Sequence, residues 1–115
     1  MRVKTFKAAC KKLGIAPVLP TFPNLPNKKK LDSLIAEYQL TIIVEALNEG
    51  WEADWTNTNQ RKYQLWWNMN PFSLCDVDVS YVYSYVPSRL CFRDRETAEY
   101  AAKTFIKLFK QYMLG

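Results

Sequence analysis

The sequence predicts an α+β fold: two N-terminal helices, a three- or four-stranded antiparallel meander, and a C-terminal helix packed on one sheet face. Three observations carry this expectation. Apolar residues recur at spacings of three and four in 3–13, 28–49 and 94–114, the period of a helix with one buried stripe. Between 62 and 92 the period changes to two. It is cleanest in "DVSYVYSYV", where Val79, Tyr81, Tyr83 and Tyr85 alternate with Ser80, Val82, Ser84 and Val86. The links between these runs are brief, so neighbouring strands pair antiparallel. At 115 residues the chain has enough length for one core, read as a single domain spanning 1–115.

Each element follows from its residues. In the first helix Val3, Phe6, Cys10 and Leu13 make the stripe, lysines 4, 7, 11 and 12 take other faces, and Gly14 is the stop. A Pro-rich connector fills 15–27. Its prolines at 17, 20, 23 and 26 keep the three-residue period of a polyproline II helix, with Leu19, Phe22 and Leu25 on a second face that straps it to the core. Asn27 caps the long helix at 28–49. Its stripe runs through Leu31, Leu34, Ile35, Tyr38, Ile42 and Ala46, and Leu40, Ile43, Val44 and Leu47 widen it until the second half is apolar nearly all round. Gly50 ends it. "KYQLWWNM", "FSLC", "DVSYVYSYV" and "RLCF" are the strand candidates, with turn residues in "NMNP" and "VPS". The last helix opens at Asp94 or Thr97 and buries Ala98, Ala101, Ala102, Phe105, Phe109 and Tyr112. Small residues come first and rings later, which predicts a close approach to the sheet that then opens.

Composition narrows the chemistry. There is no histidine, which removes the commonest general base and zinc ligand. Glycine occurs only at 14, 50 and 115, so no Gly-rich phosphate loop exists. Three cysteines without a CxxC pair fit reduced thiols and a cytoplasmic setting. No apolar run reaches membrane-spanning length. Two chemical possibilities remain. Asp76 and Asp78 share one strand face and could hold a hard cation, with Glu45 and Glu49 as further carboxylates. Cys91, flanked by Arg89 and Arg93, could be an activated thiol. Solvated carboxylates and a small buried strand residue are the simpler readings of both. No catalytic residue, metal or cofactor is expected.

The net charge of +5 is uneven. Eight cations (Arg2, Lys4, Lys7, Lys11, Lys12, Lys28, Lys29, Lys30) and no acid fall within the first 30 residues. Lys28, Lys29 and Lys30 open a helix, where the dipole disfavours cations, a mild sign of an external anion. All four tryptophans lie in "WEADWTNTNQRKYQLWWN". Trp66 and Trp67 are adjacent, so on a strand they face opposite ways and only one joins the main core. The residues read as a binding surface are Trp55, Tyr63, Trp66, Tyr81, Tyr83 and Tyr85, with Arg61 and Lys62 as a charged rim.

Several stretches resemble small uncharacterised proteins of gut Bacteroidetes and their phages: "EALNEGW" at 45–51, "DW" at 54–55, "KY" at 62–63, "SRLCF" at 88–92 and "AEYAAKTF" at 98–105. The pairing of "SRLCF" with "AEYA" is the most specific. The family pattern has Pro-Trp-Phe where this chain has Leu65, Trp66 and Trp67. The resemblance implies a phage or mobile-element setting, host cytoplasm included, and carries no function. The leading expectation is thus a non-catalytic accessory or interaction protein of phage type. It acts through an aromatic-rich sheet face on a protein partner or as a homo-oligomer, and not on a membrane. The alternative is a single-stranded nucleic-acid binder that adds Lys28, Lys29 and Lys30 to the rings. The third is a metal- or thiol-dependent enzyme.

Overall fold

A computed structural model describes residues 2–115. The class is α+β: among the described residues there are four helices and one two-stranded antiparallel sheet. Helix α1 spans Phe6–Leu13, shorter at its start than the periodicity suggests because Thr5 takes an extended backbone and accepts the Ala8 N–H at 3.0 Å. Val3 still reaches the core from the extended lead-in. Gly14 adopts the left-handed conformation and closes the helix. The connector that follows keeps Phe22 and Leu25 half-buried, but Ile15, Val18 and Leu19 are exposed, so it straps the core only at its second half.

Helix α2, Lys28–Asn48, is the centre of the molecule. The Asn27 side chain accepts the Lys30 N–H at 3.0 Å, the expected cap. Its second half buries Leu40, Ile43, Val44 and Leu47, each worth about 1.5–3 kcal/mol when fully removed from water. Buried Asn48 ends the helix and ties it to the later chain. Its amide donates to the Cys91 carbonyl at 2.9 Å and its oxygen accepts the Arg93 N–H at 3.1 Å.

Strands β1 (Lys62–Met69) and β2 (Phe72–Ser80) form a hairpin about a cis Asn70–Pro71 bond. Cys75 is the extra residue of a β-bulge opposite Trp66 and Trp67. Tyr63, Leu65, Trp67 and Val77 point to the core, where the Trp67 ring stacks on Phe72 (4.7 Å) and tilts against Phe109 (5.0 Å).

The sheet therefore has fewer strands than the expected three- or four-stranded meander. β2 stops at Ser80 because its partner begins at Lys62, directly opposite. With no strand beyond, residues 81–86 leave the sheet plane despite their alternation. "RLCF" is mostly not a strand either. Ser88–Leu90 closes a single 3-10 turn, and Phe92 alone pairs with Tyr63, through bonds of 3.0 and 2.8 Å. The C-terminal helix is two helices, α3 (Arg95–Thr104) and α4 (Ile106–Leu114), broken at buried Phe105. Buried Ala98, Ala101 and Ala102 keep α3 near the sheet, and the bend carries Phe109 onto Trp67 and the Tyr112 carbonyl to α2, where it accepts the Ser33 hydroxyl (2.8 Å).

Candidate functional site

The four tryptophans fall in four settings. Trp67 is core and Trp66 is 58% exposed, as their adjacency on a strand requires. Trp51 lines a mixed hollow of about 260 Å³ with Glu45, Glu52 and Arg89. Trp55 is half-buried and internal in its bonding. Its indole N–H donates to Ser88 Oγ at 2.7 Å, and its ring lies 4.9 Å from the Lys62 ammonium.

Lys62 is not a rim cation. It is fully buried, and Nζ donates to the carbonyls of Asn57 (3.1 Å), Gln60 (3.1 Å) and Tyr81 (2.8 Å). All three ammonium donors are thus spent on the backbone, with the Trp55 face above them. Two residues on, buried Gln64 grips the same loop. Its amide donates to the Tyr83 carbonyl (3.1 Å) and its oxygen accepts the Tyr85 N–H (3.3 Å). Neither role shows in the sequence, beyond the oddity of polar residues in an apolar run. Together they fold 81–86 across the second face of the hairpin.

The tyrosines consequently form no ladder. Tyr81 is 40% exposed and its hydroxyl accepts the Arg61 Nε–H at 3.2 Å. Tyr83, at 81%, projects into solvent. The Tyr85 side chain is exposed over half its surface, and its hydroxyl donates to Asp78 at 3.0 Å. Partial burial first, then that carboxylate, push the phenol up to about 12. Tyr63 is half-buried on the core side. Lys28 pairs with Asp32 at 2.8 Å, while Lys29 and Lys30 stay exposed at the start of α2.

Trp66 and Tyr85 do converge. They border a groove of about 360 Å³ that continues through Met69, Val86, Leu90 and Met113 and is floored by Leu65, Trp67 and Phe109. No charged side chain lines it. Because it touches both Leu65 and Trp67 on one sheet face and Trp66 on the other, it must run along the outer edge of β1. The far end of α4 abuts the first turn of α2. A side chain at Gly115 would come within 2.6 Å of the Lys29 carbonyl.

The carboxylate and thiol chemistries are drawn elsewhere. Asp76 lies 3.8 Å from Arg95 and also accepts its neighbour's Val77 N–H (2.8 Å). Asp78 accepts the Val79 N–H (2.9 Å) besides the Tyr85 hydroxyl. Among the described residues no group of three histidine, cysteine or acidic side chains is placed to hold a metal ion. Cys91 is fully buried, and that burial pushes its thiol up to about 11. Arg89 and Arg93 turn away to Glu37 and Glu49, so they do not activate it. Among the described residues no helix is long and apolar enough to cross a membrane. No protein-family model, curated protein or solved structure matches this chain.

Proposed function

We propose that this chain is a non-catalytic interaction protein of phage type that works in the cytoplasm by engaging another protein through the groove beside Trp66. One observation carries the reading: a groove of about 360 Å³ bordered by exposed Trp66, Met69, Tyr85 and Met113, with no charge in its lining. Contiguous exposed apolar surface of this kind marks interaction sites. Methionines at two of its edges supply an adaptable wall. The likeness of "SRLCF" and "AEYA" to proteins of gut Bacteroidetes and their phages supports the accessory setting.

Single-stranded nucleic acid is the second reading. Lys29 and Lys30 favour it, lying where α2 meets the end of α4, beyond Met113. The uncharged lining weighs against it, since stacked strands are held by rings and backbone-tracking cations together.

A photoreactive side chain at position 66, with one at exposed Glu99 as control, tests the first reading in the native cell. A discrete protein adduct from position 66 alone is the expected result, and a doubled chain would identify the partner as a second copy. Titrating oligothymidylate against tryptophan fluorescence gives the opposing result. Saturable quenching that fades with salt would replace the protein partner with nucleic acid.

A further inference from the structure

The two edges of the hairpin differ, and the difference identifies what the groove accepts. The Tyr63 N–H and C=O both bond Phe92, so they point away from β2. Backbone direction alternates along a strand. Leu65 therefore presents its N–H and C=O outward as well, whereas past the bulge the alternation does not carry to Trp67, which stands opposite Leu74. Among the described residues no loop or side-chain group pairs with the Leu65 N–H or C=O. The chain that supplied Phe92 cannot serve them, because the Leu90 N–H is turned into the 3-10 bond to Pro87 at 2.9 Å.

The opposite edge is blocked over part of its length. Val77 and Val79 are its outward residues by the same alternation. The side chains of Asp76 and Asp78 take their N–H groups, and Arg95 donates to the Val77 carbonyl at 3.0 Å. Blocking of this sort is how sheets avoid unwanted pairing. The β1 edge carries no such block at Leu65, and it lies against the apolar groove.

We infer that an extended segment of a partner protein adds to the outer edge of β1 as a third strand, continuing the ladder that Phe92 begins. This rests on the reading that the groove is an interaction surface, and it names the form of the ligand. Main-chain bonds to Leu65, next in the ladder after the Tyr63–Phe92 pair, would hold the segment, and alternate side chains would enter the groove. Those side chains are apolar, since nothing charged meets them. From Leu65 to Met69 the edge runs about 13 Å at the usual strand rise, room for about five residues. A second copy of this chain is a poorer occupant. Its own β1 edge is recessed between Leu90 and α4 and cannot reach into another recess.

The test selects linear hexapeptides from a displayed library against the full chain. The best is resynthesised with alternate amides N-methylated, in both parities. The inference expects apolar residues at every second position and a loss of about tenfold or more in affinity from one parity only, the equivalent of a strand hydrogen bond. Saturation should also slow amide exchange at Leu65, which in the free chain exchanges faster than Gln64. Selected peptides with helical spacing that tolerate both methylations would overturn the added strand while leaving the groove as an interaction site. Failure to select any peptide, or binding indifferent to Trp66→Ser and Met113→Glu, would overturn both.

Discussion

Replacing Lys62 by Met keeps the aliphatic stem and deletes the ammonium. Three hydrogen bonds from a charged donor go with it, each worth roughly 1.5–3 kcal/mol. The contact with the Trp55 face adds about 1–2 kcal/mol. Against this stands the desolvation of a buried cation that, among the described residues, makes no ion-pair contact with a carboxylate, roughly several kcal/mol. The freed carbonyls belong to exposed loops and can turn to water. The net expectation is a loss of about 2–4 kcal/mol, read as a lower urea midpoint at unchanged slope. At this chain length that corresponds to a fall in Tm on the order of 10 °C. The same burial predicts that an amine-acylating reagent modifies Lys29 and Lys30 in the native protein long before Lys62. An unchanged midpoint in Lys62→Met, or early acylation of Lys62, would show that the ammonium is not the internal brace described.

Gln64→Leu should release the 81–86 loop, with a loss of roughly 1–3 kcal/mol and faster amide exchange at Tyr85. A thiol reagent should titrate one cysteine rapidly in the native state, Cys75, and all three in urea, since Cys10 and Cys91 are buried. The Cys91 thiol is raised from 9.0 to about 11, so its protonated form is favoured by folding. Its contribution is intact below pH 9 and fades between pH 9 and 11, and Cys91→Ala should lack that part of the alkaline decline. Asp94→Ala should cost α3 about 1 kcal/mol as a lost N-cap. Burial alone would raise the Asp94 carboxyl, but the Thr97 N–H and the nearby Arg93 outweigh it and hold it below its ordinary 3.8. That contribution is present above the unfolded value and lost as acid takes the pH through the lower folded one, so Asp94→Asn should flatten the acid limb of stability.

The helices were legible because periodicity and caps agree. Asn27, Gly14 and Asp94 each sit where the structure uses them. The hairpin was legible as far as Ser80. Beyond it the alternation of 81–86 is real but lacks the partner strand that alone makes a strand, a tertiary fact invisible in local pattern. The break at Phe105 was half legible. The shift from alanines to rings foretells a change of spacing, but no Pro or Gly marks the place. For the candidate site, the opposite settings of Trp66 and Trp67 follow from adjacency alone. The inward turn of Lys62 does not, because a lysine between Arg61 and Tyr63 reads as surface until three carbonyls are found around it.

The grip of Lys62 and Gln64 on the 81–86 segment falls on main-chain atoms only: the carbonyls of Tyr81 and Tyr83 and the N–H of Tyr85. The path is therefore nearly independent of the lettering at Val82 and Tyr83, whereas the Tyr81 and Tyr85 hydroxyls and Ser84 Oγ add side-chain bonds of their own. Val82 and Tyr83 can be exchanged without unseating it, and related chains could diversify there at little cost to folding. At those two positions the segment can take foreign residues, including short grafted epitopes, without a change in its path.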